Sequence, residues 1–236
     1  MGLSDELESL PAADLVAWAV STYANGFAIA TSFQKEGMAI VDMAWRVAGP
    51  ECRVFTLDTG RLPEETHQMV ETVRQRYGIA VEIVTPLREE LEPMIAAHGP
   101  NLFYQSPDLR ARCCGIRKVR PLERKLREFQ AWAAGLRREQ SATRAGIRKV
   151  EEVDGRIRVS PLADWSTEEV ERYMLAHDVP VHPLYARGYT SIGCAPCTRA
   201  VGPGEDARAG RWWWELESRK ECGIHFSANG TVERNA

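Results

Sequence analysis

The sequence predicts an α/β protein with a mostly parallel sheet flanked by helices. Three observations predict it. Helical apolar patterns alternate with short apolar runs through the first half of the chain. The runs end in loops rich in Ser, Asp, Thr and Gly. No apolar stretch approaches the roughly 20 residues that a membrane span needs.

In chain order, an apolar helical pattern at Leu15–Tyr23 leads into the run Phe27–Thr31, then into a helix carrying Met38, Val41, Met43 and Trp45. A strand over Arg53–Leu57 follows, then a helix opened by Pro63 with Glu64 and Glu65 in its first turn. Val81–Val84 reads as the next strand. This βαβαβ rhythm implies parallel strands covered by helices, with ligands received where strands give way to helices. Two loops stand there: Ser32-Phe33-Gln34-Lys35-Glu36-Gly37 and Asp58-Thr59-Gly60-Arg61. The first would set backbone amides and a helix N-terminus toward an anion; Ser32 reads equally as an N-cap and Lys35 as a solvent charge. The second reads as a turn or as a ligand loop.

Beyond residue 140 the pattern changes. Lys149–Val153 and Arg156–Val159 flank Asp154-Gly155, a hairpin signal. Ser166 and Glu169 are spaced as a capping box that opens a helix. Trp212, Trp213 and Trp214 read as packing or as a cap on a sheet edge. From Ser218 onward periodicity is lost, so residues 1–217 are expected to form a single α/β domain and residues 218–236 a mobile tail.

Composition narrows the function. Apolar residues at 44% and charged residues at 27% are those of an ordinary globular protein, with ample length for a core. Net charge is −3, yet residues 110–149 hold 13 Lys and Arg against 3 Glu. That excess points to an anionic ligand. Overall acidity and the lack of interleaved aromatics favour a small anion over a nucleic acid. Arg124, Lys125 and Arg127 read as a solvated helix face, whereas Arg117 and Lys118 lie within a turn of two cysteines.

The six cysteines are the most specific signal. Cys113 and Cys114 are adjacent, Cys194 and Cys197 bracket Ala-Pro, and Cys222 stands near the C-terminus. The first four suit a tetrahedral zinc or an iron–sulfur cluster, and the fifth reads as a nucleophile. Adjacency favours the cluster, because zinc sites usually draw each cysteine pair from a knuckle with intervening residues. A Cys194–Cys197 redox dithiol or a disulfide are the alternatives. Both are weakened by an N-terminus that does not read as a signal peptide, which makes a cytoplasmic setting the expectation. Cys52 reads as a small buried hydrophobe.

Taken together, Cys113-Cys114-Gly-Ile-Arg117-Lys118, Leu57-Asp58-Thr59-Gly60, Gly135-Leu-Arg137-Arg138-Glu139-Gln140-Ser141, Cys194-Ala-Pro-Cys197-Thr198-Arg199 and Lys220-Glu221-Cys222-Gly223-Ile224-His225 resemble the assimilatory adenylylsulfate (APS) reductases. The resemblance runs in order from about Phe27 to His225. It implies an adenine-nucleotide α-hydrolase-like fold and reduction of APS to sulfite and AMP by a thioredoxin or glutaredoxin-like dithiol protein. It also implies one 4Fe-4S cluster on Cys113, Cys114, Cys194 and Cys197, with Cys222 as the catalytic nucleophile. Substrate anions would be held by Lys118, Arg137, Arg208 and Arg211. Ser32, Gln34, Lys35 and Glu36 would form a modified phosphate loop, with Asp58 and Gly60 in the second loop. Nucleic-acid and membrane partners are not expected, and no pattern specifies an oligomeric state.

Three other readings compete. A reductase of the 3'-phosphorylated substrate, PAPS, is separated by activity on each nucleotide. A tRNA-thiolating enzyme would require ATP and bind RNA. A zinc-stabilised nucleic-acid module would hold one zinc per chain and no inorganic sulfide.

Overall fold

A computed structural model of the chain describes residues 3–141 and 144–215. Cys222 and the expected tail of residues 218–236 lie outside the described residues. Within them the chain condenses into two compact units, one of residues 3–56, 66–82 and 126–182, the other of residues 57–65, 83–125 and 183–215.

The first unit is built on strands β1 (Phe27–Ala30), β2 (Val54–Leu57), β4 (Ala131–Ala134), β5 (Val150–Val153) and β6 (Arg156–Val159). With β3 (Glu82–Val84), whose last two residues count with the second unit, the sheet order is β3-β2-β1-β4-β6-β5. β1 pairs in parallel with β2 and β4, and β4 in parallel with β6. Only β5 runs antiparallel to its neighbour, as one arm of the expected hairpin. Asp154 and Gly155 turn that hairpin with φ of 50° and 72°, the left-handed values that a type I′ turn demands.

The apolar runs of β1 and β4 explain their central place: Ala28, Ile29, Ala131 and Ala133 are almost wholly buried, as strands covered on both faces must be. Helices α1 (Leu3–Ser9), α2 (Ala12–Tyr23), α3 (Lys35–Ala48), α4 (Glu64–Tyr77) and α8 (Thr167–Ala176) contribute Leu7, Leu15, Val16, Met38, Ile40, Met69, Val73 and Val170 to the same core. Met38 is fully buried, and Met38→Ala should cost about 2–5 kcal/mol. Within this core Asp42 is buried, accepting from Tyr77 Oη at 3.2 Å, Tyr173 Oη at 2.7 Å and Arg46 Nε at 2.7 Å. Those three donors compensate a charge that burial alone would make costly. α8 starts at the expected capping box, with Glu169 N donating to Ser166 Oγ at 3.2 Å and Ser166 N to Glu169 Oε2 at 2.7 Å.

The second unit contains α5 (Arg88–His98) and a long helical run made of α6 (Pro107–Cys114), a π-helical turn (Gly115–Val119) and α7 (Arg120–Leu126). Ser106 caps α6, its hydroxyl accepting from Leu109 N at 3.1 Å, and Pro107 occupies the first turn, where its missing N–H costs nothing. Met94, Leu102, Phe103, Ile116 and Trp212 pack with Cys113, Cys194 and Cys197, so this core is assembled around thiols. Trp212 therefore packs among the cysteines, whereas Trp213 is exposed. Among the described residues no helix is long and apolar enough to cross a membrane.

Candidate active site

The first of the two loops that the sequence singles out, Ser32–Gly37, starts where β1 ends. Thr31 Oγ1 accepts from Phe33 N at 2.9 Å, and Phe33, fully buried, adopts φ of 58°, a strained value for an aromatic residue. The reversal brings the chain into α3 with Gln34 as its N-cap. Ser32 Oγ accepts from Gln34 Nε2 at 3.0 Å, and Lys35 Nζ pairs with Glu171 of α8 at 2.5 Å. Glu36 turns back toward the end of β4: Arg137 Nε donates to its Oε1 at 2.9 Å and Gln140 Nε2 at 3.1 Å. The approach is so close that a Cβ on Gly135 would lie 2.8 Å from Glu36 Cβ. Arg137 is buried and donates further to Glu139, to Trp165 O at 3.1 Å and to Thr167 Oγ1 at 3.1 Å. Its guanidinium is thus a brace for the loop within this unit.

The second unit holds the other expected residues. Asp58 N donates to Val84 O at 2.9 Å, and Gly60 N donates to the Asp58 carboxylate at 2.8 Å, closing the turn that carries Thr59. Thr59 is itself buried, its hydroxyl 3.2 Å from Cys194 Sγ, while Arg117 Nη1 donates to Thr59 O at 2.5 Å. Ala195 N donates to Arg61 O at 2.8 Å and Cys197 N to Cys194 O at 2.9 Å. These bonds join the Asp58–Arg61 loop, the vicinal cysteines' helix and the Cys194–Cys197 knuckle.

All four thiols, each 7–8% exposed, line one cavity together with Arg61, Arg110, Arg117, Lys118, Arg211 and Trp212. Arg211 is buried, donating to Thr198 Oγ1 at 3.1 Å and stacking 4.7 Å from the Trp212 ring centroid. Arg208 stands three residues earlier, its carbonyl accepting from Arg211 N at 2.9 Å. Burial pushes the Cys113 thiol up, against the pull of Arg117. Burial and the neighbouring Cys194 push Cys197 to about 12. At Cys194 burial acts in the same direction, but Lys118, the Thr59 hydroxyl, Arg211 and Arg117 outweigh it, and the thiol lies below its ordinary value. Cys52, half-buried beside the first unit's core, is raised to about 11 by burial, as a packing thiol should be.

The donor set fits an iron–sulfur group. Four soft ligands surround one cavity, five cationic side chains offset a cluster's negative charge, and two buried donors, Arg117 Nε and Trp212 Nε1, have no protein acceptor. Donors of this kind suit thiolate and sulfide sulfurs, whose hydrogen bonds tune a cluster's potential. Among the described residues no three or more His, Cys, Asp or Glu converge as ligands of a single ion.

Sequence reasoning placed the four cysteines and Lys118 around one centre, and the cavity brings them together. It did not single out Thr59, Arg61, Arg110 or Trp212 as members. Thr59 carried a signal in its loop position; Arg61 and Arg110 carried none beyond their charge. Ser32, Gln34, Lys35, Glu36 and Arg137 belong to the first unit, and Asp58, Gly60, Lys118, Arg208 and Arg211 to the second.

Fold and site define a nucleotide-type α/β protein with a thiol-lined, cation-rich centre. The model of the phosphoadenosine phosphosulfate reductase domain matches residues 26–200, and the chain belongs to this family. It is similar to the adenosine 5'-phosphosulfate reductase of Burkholderia cepacia, with 51% identity over 78% of this chain and 74% of that protein. To the enzyme of the same name from Allochromatium vinosum it is 45% identical, over 89% of this chain and 86% of the other. The solved phosphoadenylyl-sulfate (PAPS) reductase of Candida auris, a phosphate complex, superposes with a TM-score of 0.69 at 27% identity, covering 84% of this chain and 94% of that one. A Candida glabrata FMN adenylyltransferase shares the fold alone, with a TM-score of 0.54 at 13% identity over 86% of this chain and 74% of that one.

Proposed function

We propose that the protein reduces adenosine 5'-phosphosulfate to sulfite and AMP, taking two electrons from a thioredoxin-type dithiol protein in assimilatory sulfate reduction. The observation that carries this is the cavity in which four buried thiols meet Lys118, Arg117 and Arg211, in a chain so similar to relatives that bear the name adenosine 5'-phosphosulfate reductase.

Cys113, Cys114, Cys194 and Cys197 would hold the 4Fe-4S cluster, which would link the helix of residues 107–126 to the Cys194–Cys197 knuckle and supply charge near Lys118. The reaction itself belongs to Cys222. Its thiolate attacks the sulfuryl sulfur of APS, the bond from sulfur to the bridging phosphate oxygen breaks, and AMP departs with that electron pair. The product is S-sulfocysteine. A thiolate of the dithiol partner then attacks Cys222 Sγ, sulfite leaves with the electrons of the sulfur–sulfur bond, and a mixed disulfide remains. The partner's second thiol resolves it, releasing Cys222 as a thiol and the partner as a disulfide.

Lys118, Arg208 and Arg211 face the sulfate end and stabilise charge in the transition state. Ser32, Gln34, Lys35 and Glu36 serve the nucleotide, with Arg137 bracing their loop and Asp58 and Gly60 shaping the second. Phe33 fills space that a glycine-rich triphosphate loop would leave open, which favours a phosphosulfate over ATP.

The second reading, PAPS as substrate, is favoured by the likeness to the Candida auris enzyme. Mass spectrometry of anaerobically prepared protein, incubated separately with APS and PAPS and no dithiol protein, separates the two. A sulfonate adduct on Cys222 that thioredoxin removes as sulfite supports the mechanism, and the nucleotide that forms it faster is the substrate. No adduct with either, on protein retaining its visible absorbance, overturns the role of Cys222.

A further inference from the structure

Part of the basic excess in residues 110–149 is answered by the acids of α1. The Glu8 carboxylate accepts from two places on the stretch that joins β4 to β5: Oε1 from the Arg138 guanidinium and Oε2 from Lys149 N at 2.9 Å. Arg148 Nε stands 3.8 Å from the same Oε2, and Arg148 Nη2 donates to Asp5 Oδ1 at 3.0 Å. Lys149 is buried, its Nζ donating to Leu10 O at 2.8 Å and pairing with Asp164 at 2.8 Å. Leu7 pins α1 to the core of the same unit. Three cations that the sequence offers to an anionic ligand are thus engaged by the N-terminal segment.

The stretch they belong to also carries Arg137. Arg138 Nε donates to Ile147 O at 2.9 Å and Arg138 N to Ala163 O at 2.9 Å, so the guanidinium that Glu8 holds ties residue 138 to residue 147. Its neighbour Arg137 donates to Glu36, Trp165 O and Thr167. Gln140 accepts from Arg137 N at 3.2 Å and donates to Glu36 Oε1 at 3.1 Å. Direct contacts therefore run from Glu8 through Arg138 and Arg137 to Glu36 of the Ser32–Gly37 loop. The Glu8–Arg138 pair is 28% and 34% exposed, too open to water to add much stability by itself. Holding a connecting stretch in one conformation has an entropic cost that contacts must offset, and here α1 supplies them.

We infer that Glu8 is a positioning residue for nucleotide binding, acting through Arg138 and Arg137 to keep the Ser32–Gly37 loop in its binding arrangement, and that Arg138, Arg148 and Lys149 serve α1 and not the substrate. The inference rests on the reading of Ser32–Gly37 as the nucleotide's loop. A residue that sets the population of a binding arrangement leaves a particular signature. If the braced arrangement falls to about a tenth of the molecules, the apparent dissociation constant rises about tenfold. Turnover at saturation stays the same, because bound nucleotide selects the braced arrangement again.

The test measures the APS dissociation constant of the full-length, cluster-loaded protein, with turnover at saturating APS and thioredoxin as reductant. Glu8→Ala should raise the dissociation constant about tenfold, with turnover and visible absorbance unchanged. In an Arg137→Ala background, where APS is already held weakly, Glu8→Ala should add less than twofold, since the two act in series. Val73→Ala, a cavity in the fully buried core of α4, should leave the dissociation constant as it is; an equal rise there would overturn the inference by making the effect one of general stability. Tighter binding in Glu8→Ala also overturns it, because the freed cations would then be taking the substrate. Should Glu8→Ala lose its absorbance, Arg138→Met breaks the same link from its other side, and wild-type affinity in that variant overturns the inference. Weak binding in Arg137→Ala beside wild-type binding in Glu8→Ala overturns it alone. Wild-type binding in Arg137→Ala overturns the reading of the loop, and the role of Glu8 with it.

Discussion

Gly193→Ala should dislodge Arg211 from the cysteine cavity. A Cβ at this position would stand 1.8 Å from Arg211 Nη1 and 2.6 Å from its Cζ, far inside van der Waals contact, and the φ of Gly193 lies outside the left-handed region. The perturbation is therefore steric and not conformational. Arg211 must leave its place and give up two contacts. One is the bond to Thr198 Oγ1 at 3.1 Å, worth about 1.5–3 kcal/mol for a charged donor. The other is the stack on Trp212 at 4.7 Å, worth about 0.5–2 kcal/mol. The loss of about 2–5 kcal/mol corresponds to a fall in Tm of about 4–20 °C in a chain of this size, followed by circular dichroism. A double-mutant cycle makes the test specific. In an Arg211→Ala background the clash has no partner, and Gly193→Ala should cost less than about 0.5 kcal/mol. Equal cost in both backgrounds would refute the reasoning, as would a wild-type Tm for the single variant.

Three further outcomes are expected. Lys118→Ala should cut turnover about 100-fold, the scale for losing a transition-state charge partner, while the visible absorbance persists; loss of the absorbance would make Lys118 a structural residue. Glu36→Gln breaks the buried pair with Arg137 and should destabilise by about 3–5 kcal/mol, read as a lower urea midpoint with a raised KM for the nucleotide. The third concerns pH. Tyr77 and Tyr173 are both raised by burial and by Asp42. The stability they contribute is fully present below the unfolded value of about 10 and declines as pH rises toward their folded values. Tyr173→Phe should flatten that alkaline decline in a pH series of urea melts, and an unchanged slope would show that the network is not its source.

Much of the fold was legible because its signals are local. The βαβαβ order, the Asp154-Gly155 hairpin and the Ser166 capping box follow from periodicity and turn chemistry, and β1, β2, β5, β6 and α8 lie where those signals put them. Strand β4 was not read, although it is central. Its run Ala131-Trp132-Ala133-Ala134 is short, poor in β-branched residues and set inside a basic stretch, so its strand character comes from pairing with β1 and β6. At the site, cysteine spacing pointed to one centre, since thiols are few and their chemistry narrow. Thr59 was legible only through its loop, and Arg110 not at all. A threonine and an arginine carry no spacing rule, and their membership follows from tertiary contacts with Cys194 and Trp212.

The π-helical turn at Gly115–Val119 has a consequence for inheritance. Arg120 N donates to Gly115 O across five residues, so this turn holds one residue more than an α-helical turn would. Deleting a single residue there would leave an uninterrupted helix from 107 onward, sound by its own hydrogen bonds. Because the wide turn already absorbs the additional residue, the helix downstream would keep nearly its phase, and the change would fall inside the turn, where Lys118 would stand three residues after Cys114 instead of four. A frame-preserving loss of one codon would thus spare the helix and move the cation relative to its thiols, a lesion to be read in catalysis.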